Sequence, residues 1–235
     1  MGRLFIVPNL LGIVAPEQVL PARTIAIARG LAHYVVENAK PARAFLQLLS
    51  PALPIREIAI VELGAGPTPA SYSEFLAPAR SGLDLGLLSD AGCPGIADPG
   101  ALLVAQAHRE GIRVVPLVGP SSIVLALMAA GMNGQGFTFH GYLPVKVDPR
   151  TAAIGQLEDD SHRSGRAQIF IETPYRNTAL LAALITTCRD ETRLCVAVDL
   201  TLATESIVSR PIKEWRGSDV ARYAKRPAIF LLQSE

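Results

Sequence analysis

The sequence predicts an α/β protein of two domains, the first on a mostly parallel sheet and the second on a mixed one. Three observations carry that expectation. Up to about residue 116, short apolar runs alternate with helix-patterned stretches, the rhythm of successive β-α units with helices on both faces of a sheet. Further on, two strand-like runs near residues 194 and 206 follow one another with no helix between them, which favours a hairpin and therefore mixed pairing. Apolar residues make up 49% of the chain and charged residues 18%, below the usual ~25%, so the chain can bury its surface in such cores and global disorder is excluded.

Each element follows from its local pattern. In the first half, residues 4–7, 32–36, 58–62, 85–88 and 112–116 read as strands. Helices are expected through 24–29, 41–49 and 70–80. Another runs to about residue 109, capped by Asp98 with Pro99 in its first turn and stopped by Gly111. Gly119-Pro120 opens a helix at 121–130, and the domains divide there, as 1–119 and 120–235. In the second half, 137–142, 167–171, 194–198, 206–212 and 229–232 read as strands, and 151–160, 177–187 and 219–224 as helices. The polar stretch 159–166 reads as a solvated loop.

Composition excludes several classes. The net charge of +1 gives no general basic field for non-specific nucleic-acid binding. Cys93, Cys188 and Cys195 are odd in number and unpaired in spacing, so neither a disulfide framework nor a CxxC zinc site fits, and a reducing compartment is expected. The longest apolar run, 123–132, is shorter than the ~20 residues a bilayer span needs. Residues 4–15 look superficially like a signal segment, but only Arg3 precedes them and Pro8-Asn9 breaks them. There is no GxxxxGK[ST] loop and no GxSxG, and His33, His108, His140 and His162 are scattered without metal-ligand spacing.

Three stretches can carry chemistry. The densest is Leu87-Leu88-Ser89-Asp90-Ala91-Gly92-Cys93-Pro94-Gly95-Ile96-Ala97-Asp98-Pro99-Gly100, an apolar strand running into a glycine-rich loop. Ligands of open α/β sheets sit at the carboxyl ends of strands, and Gly92 and Gly95 allow backbone to approach one closely. Asp90 can accept hydrogen bonds from hydroxyl or amino groups. A reactive Cys93 thiol is conceivable, with packing the plainer role. The second stretch is Val115-Pro116-Leu117-Val118-Gly119-Pro120-Ser121-Ser122, where a helix N-terminus offers free N–H groups and Ser121 alone reads equally as a cap. The third is Ile169-Phe170-Ile171-Glu172-Thr173-Pro174-Tyr175-Arg176, in which Glu172 faces a cleft or pairs with Arg176 across the turn. Ile60-Val61-Glu62-Leu63-Gly64-Ala65-Gly66 resembles the first glycine motif of Rossmann-type methyltransferases. Pro67 and Pro69 stand where its helix should open, however, and a short glycine motif is weak by itself.

Taken in order, and with Gly141-Tyr142-Leu143-Pro144 and Asp199-Leu200-Thr201, these stretches resemble the tetrapyrrole methylase family of S-adenosylmethionine methyltransferases. Within it the chain is most similar to the branch that methylates a ribose 2'-hydroxyl of small-subunit ribosomal RNA, which shows SDAGxPxxxDPG, PGPSA, a GFLP-like strand, ESPxR and a DLT-like segment. The resemblance implies two α/β domains with S-adenosylmethionine in the cleft between them, the acceptor side and part of the cofactor site belonging to the first. It implies a cytoplasmic homodimer acting on ribosomal RNA or the small ribosomal subunit, with no metal, membrane or DNA partner. Positions corresponding to cofactor contacts are Pro8, Leu88, Ser89, Asp90, Gly92, Cys93, Ile96, Ser121, Ser122, Glu172, Leu200 and Ala228. The same fold acting on a tetrapyrrole or another small molecule, or binding cofactor without catalysis, stays open.

A hydroxyl acceptor needs a base, and Glu37 and Asp90 are the candidates. Three strand ends depart from the branch pattern. Val7-Pro8-Asn9-Leu10-Leu11-Gly12 stands for TPIGN, Glu37-Asn38-Ala39-Lys40 for EDTR, and residues 62–67 for a His/Asn-rich stretch. Lys40, Arg43, Lys146 and Arg150 are expected to cluster beside the cleft, and free RNA to bind weakly.

Overall fold

The computed structural model describes residues 1–64 and 68–234. The chain divides into two compact units, Met1–Ser121 and Ser122–Glu235.

In the first unit the strands are β1 (Arg3–Val7), β2 (His33–Val36), β3 (Ala59–Glu62), β4 (Leu85–Leu88) and β5 (Arg113–Pro116). They form an all-parallel sheet in the order β3-β2-β4-β1-β5. β4, Leu-Gly-Leu-Leu, is buried at every position, as a central parallel strand must be, whereas β3 and β5 are partly exposed edges. The helices are α1 (Ala22–Gly30), α2 (Ala39–Leu49), α3 (Pro69–Phe75), α4 (Ala77–Arg80) and α5 (Ala101–Arg109). Ile25 and Ala28 of α1 and Phe45 and Leu46 of α2 pack on one face, with Phe5, Val7 and Tyr34. Leu76, Ala79 and Leu103 pack on the other, with Leu4, Val35 and Leu87.

The second unit begins with α6 (Ser122–Ala130) and continues through β6 (Phe137–Tyr142), α7 (Val147–Ser164), β7 (Ala167–Glu172), α8 (Asn177–Thr187), β8 (Arg193–Val198), β9 (Ser206–Pro211), α9 (Ile212–Trp215) and β10 (Ala228–Gln233). Its sheet order is β6-β7-β10-β8-β9, with β6 parallel to β7 and the other pairs antiparallel. The expected hairpin is the β8–β9 pair. Phe170 and Phe230 stack at 6.0 Å in the core, and Trp215 donates its indole N–H to the Leu194 carbonyl at 3.1 Å.

Four expectations about elements are corrected. Asp98 does not cap a helix: α5 begins at Ala101, preceded by Gly100 with φ 131° and no side-chain cap. The helix expected over 70–80 is broken between Phe75 and Ala77, where Pro78 brings no N–H to continue the ladder. The polar stretch 159–166 is mostly helix, because α7 runs on to Ser164 and ends at Gly165 in the left-handed conformation. Ile154, Leu157 and Ser161 bury one face of α7, while Asp160 and Arg163 pair outside. Residues 219–224 contain only the 3-10 turn Ala221–Tyr223, with Asp219 accepting from the Ala221 N–H.

Candidate functional site

The chain passes from β1 to β2 to β3 in one direction across the sheet, then returns through β4 to β5. Right-handed crossovers therefore send α1 and α2 to one face and α3, α4 and α5 to the other. Loops after β1 and β2 leave toward one side, and the loop after β4, which lies between them, leaves toward the other. This reversal opens a crevice at the carboxyl end of β4, the place where such sheets bind ligands.

The loop after β4 is pinned from both sides. Asn9, buried at the end of β1, donates its amide to the Ser89 carbonyl at 3.0 Å and the Asp90 carbonyl at 2.9 Å. Its backbone N–H donates to the Gly92 carbonyl at 2.8 Å, and its own Oδ1 accepts from the Leu10 N–H. Gly92 sits at φ 65°. Cys93 reaches across to donate its thiol to the Pro120 carbonyl at 3.4 Å. Burial, with Asp98 nearby, pushes that thiol above its ordinary range, so Cys93 is a packed, protonated tie and not an activated nucleophile. Pro8 is buried against Gly119, where any Cβ would come within 2.2 Å of the Pro8 ring. That contact explains a glycine in the Gly119-Pro120-Ser121 segment without reference to a ligand.

Carboxylates gather beside this loop. The Glu37 Oε2 accepts from the Asp90 N–H at 3.1 Å, and the Asn38 amide donates to the Asp90 Oδ2 at 2.7 Å. Asp98 is half-buried, and burial raises its pKa to about 6, helped by the charges of Glu37 and Asp90 and opposed by a hydrogen bond from Ser89. Instead of capping α5, Asp98 therefore faces the other acids. Ser89 itself is buried, Asp90 is exposed, and Ile96 stands 52% exposed on the outer loop.

Sequence reasoning missed Asn9 and Asn38 as organising residues. In the sequence both stand as departures from a motif, Asn9 also as a break in an apolar stretch, whereas in the structure both side chains hold Asp90. Glu62, at the end of β3, accepts from the Ala39 N–H at 2.6 Å and so caps α2. Of the glycine motif that begins at Ile60, residues 65–67 lie outside the described residues.

In the second unit, three of the expected residues lie at one end of the inner strands β7, β10 and β8. Ala228 pairs with Glu172 on β7 and with Val198 on β8, and Leu200 is buried just past the end of β8. Glu172 and Arg176 do pair: Glu172 Oε1 accepts from Arg176 Nη2 at 2.6 Å and Nε at 3.0 Å, and from the Thr173 N–H. The Glu172 Oε2 is buried with no partner. Asp199, at φ 52°, holds the following turn by accepting from Thr204 and Arg226, each at 2.8 Å. Ser121 ends the first unit and Ser122 opens α6, both half-buried.

The expected basic patch is corrected. Arg150 is only 8% exposed, on the inner face of α7, so it presents no charge to solvent, while Lys40, Arg43 and Lys146 are exposed. Among the described residues no group of three or more His, Cys, Asp or Glu is placed to hold a metal ion, and no helix is long and apolar enough to cross a membrane.

No family model matches the chain. Among curated proteins it is 38% identical over 148 residues to the ribosomal RNA small subunit methyltransferase I of Pseudomonas aeruginosa, covering 62% of this chain and 51% of that protein. It is 37% identical over 155 residues to the protein of the same name from Vibrio cholerae, covering 65% and 52%. The chain thus spans about half the length of the curated relatives it matches. Among solved structures, the methyltransferase CobJ aligns with 100% of this chain and 95% of its own at a TM-score of 0.64 and 16% identity. The uroporphyrin-III-C-methyltransferase of Thermus thermophilus aligns with 99% and 94% at a TM-score of 0.57 and 18% identity. The chain has the fold of the tetrapyrrole methylases, and in sequence it is a relative of the small-subunit ribosomal RNA methyltransferase I proteins.

Proposed function

We propose that the chain is an S-adenosylmethionine-dependent methyltransferase whose acceptor is a ribose 2'-hydroxyl of small-subunit ribosomal RNA. The observation that carries this reading is the loop Leu88–Cys93 at the carboxyl end of β4, pinned by Asn9 and Cys93 with Glu37 alongside, in a chain whose sequence relatives are named ribosomal RNA small subunit methyltransferase I.

The residues suit the cofactor. The partnerless, buried Glu172 Oε2 is an acceptor for hydroxyl or amino donors, and the rigid loop offers its backbone groups. Pro8, Leu88, Ser89, Asp90, Gly92, Cys93 and Ile96 would hold it from the first unit, and Ser121 extends that set. Ser122, Glu172, Leu200 and Ala228 would contribute from the second. S-adenosylmethionine supplies an electrophilic methyl group when bound. The chain's own task is alignment and proton removal. Glu37 keeps one carboxylate oxygen on the Asp90 N–H and has the other without a partner among the described residues, able to take the hydroxyl proton, while Asn38 holds Asp90 as its support.

By the same reading the protein works in the cytoplasm, where its acceptor is made, and as a homodimer, which light scattering would test. The deciding experiment for function is transfer of labelled methyl to purified small ribosomal subunits, to naked ribosomal RNA and to tetrapyrrole precursors in parallel. Label on the ribose of subunit RNA is expected. Label confined to a tetrapyrrole would replace the acceptor, and cofactor binding without any transfer would make this a binding protein.

A further inference from the structure

Away from the carboxyl edge, one face of the first unit's sheet is left open on its β5 side. A groove of about 470 Å³ runs there between α1 and the strands β1 and β5. Arg23, Ala26, Ile27 and Gly30, spaced as one face of a helix, form one wall. Its floor is two rungs of the parallel pair, Phe5 beside Val115 and Arg3 beside Arg113.

The charge in this groove is one-sided. Arg3, Arg23 and Arg113 line it, with Asp84 the only carboxylate among the lining residues. Arg3 is paired with Asp84 and lies over the Phe5 ring at 4.8 Å. Arg23 and Arg113 are exposed and have no hydrogen-bonded or ion-paired acceptor among the described residues. Both are placed against local electrostatics. Arg23 is in the first turn of α1, where the helix dipole disfavours a cation, and Arg113 lies directly across from Arg3 on the adjacent strand. A polyanion would relieve both. α1 is about 14 Å long at 1.5 Å per residue. Its N-terminal end is tied to the carboxyl edge of the sheet, where Thr24 donates to the Val118 carbonyl at 2.8 Å. Arg23, next to Thr24, is thus the lining residue nearest the carboxyl edge, while Arg3, Asp84 and Arg113 stand at the amino ends of the strands, with Phe5 in the floor between.

We propose that this groove binds a single-stranded segment of the acceptor RNA, its phosphates on Arg23 and Arg113; the inference rests on the ribosomal RNA reading above. Arg3 is already neutralised by Asp84, so two net phosphate contacts, on Arg23 and Arg113, at about 0.7 each predict that log K for a single strand falls with log salt at a slope of about −1.4. Such binding is weak and salt-sensitive, as the net charge of +1 leads one to expect.

The test is the double variant Arg23→Glu with Arg113→Glu, both exposed positions, with circular dichroism confirming the fold. Binding of a short labelled oligoribonucleotide is measured across a salt series, methyl transfer to small subunits is followed as KM and kcat, and S-adenosylhomocysteine affinity is measured separately. The variant is expected to bind the oligonucleotide at least tenfold more weakly and to lose most of the salt slope. KM for subunits should rise, with kcat and cofactor affinity unchanged, and the double Arg→Lys variant should keep the slope. An unchanged slope and KM would overturn the proposal. So would failure of the wild type to bind the oligonucleotide, or binding of polyglutamate in its place. If the wild type binds RNA through these arginines yet methylates no subunit, the groove stands and the acceptor reading falls.

Discussion

The side-chain amide of Asn9 donates to the Asp90 carbonyl at 2.9 Å, joining the end of β1 to the loop after β4 across 81 residues of sequence. The same amide satisfies the Ser89 carbonyl. Asn9→Ala leaves the buried Ser89 carbonyl and the part-buried Asp90 carbonyl without their partner, a loss of about 2–3 kcal/mol, most of it at Ser89. For a chain of this size that lowers Tm by roughly 4–12 °C. S-adenosylhomocysteine affinity is expected to fall at least tenfold by calorimetry. Undiminished affinity in a folded variant would mean that the pinned loop does not hold the cofactor.

Asp98 makes stability depend on pH in a direction opposite to most carboxylates. Its pKa is raised from 3.8 to about 6, so the folded state holds a proton that the unfolded chain releases. The favourable contribution is present in full below about pH 4 and is lost as pH rises through 6. Asp98→Asn should flatten this slope and stabilise the protein at pH 8 by about 1 kcal/mol, a figure reduced for screening at a half-exposed site. Melting curves at pH 5 and pH 8 measure both effects. A difference between the two pH values that is the same in wild type and variant would acquit Asp98.

The contrast between Asp98 and Asn9 marks how far the sequence could be read. Strand runs such as Leu85–Leu88 were legible because a central parallel strand is apolar throughout, and the mixed second sheet because two strands followed each other directly. The site loop was legible because glycines and acids at a strand end are a local pattern. Asp98 followed by Pro99 looks like a helix cap locally, but its environment is set by Glu37 and Asp90, from other stretches of the chain. Asn9, Asn38 and the Arg3–Arg113 rung are likewise products of the β3-β2-β4-β1-β5 order, which no single stretch contains. The end of polar α7 is not legible in the sequence because buried Ser161 contributes no apolar signal to the helical period.

Gly119 tests the close approach at the end of β5. Gly119→Ala places a methyl group 2.2 Å from Pro8 Cγ, a ring that cannot turn aside, and 3.1 Å from Leu20 Cδ2. Overpacking of this kind costs typically 1–3 kcal/mol. Reduced denaturation midpoints with an unchanged m-value are expected. A neutral effect on stability would contradict the packed Pro8–Gly119 contact.

Arg176 is the main partner of a fully buried carboxylate. With Arg176→Ala, Glu172 keeps only the Thr173 N–H on Oε1, and Oε2 already has no partner. Breaking a buried pair in this way is worth about 3 kcal/mol, less whatever water relieves at the exposed side of Arg176. Fluorescence of Trp215, the chain's single tryptophan, lies in the same unit and reports the transition directly. The midpoint should fall, and Arg176→Lys should recover part of it. Full stability in the alanine variant would show the pair to be idle.

Glu37 and Asp90 differ in what their carboxylates are free to do, and substitution should separate them. Glu37 spends Oε2 on the Asp90 N–H, and among the described residues Oε1 has no hydrogen-bond partner. Asp90 has its Oδ2 held by the Asn38 amide and is itself exposed, placed to orient and not to take a proton from an acceptor in the crevice. Glu37→Gln preserves the hydrogen bond from the Asp90 N–H, because the amide oxygen still accepts, but removes the base. Methyl transfer is therefore expected to fall about 100-fold or more in kcat, with S-adenosylhomocysteine affinity unchanged. Asp90→Asn retains an acceptor for Asn38 and should have the smaller effect on kcat and the larger effect on cofactor affinity. If the two variants exchange these signatures, Asp90 is the base and Glu37 its support.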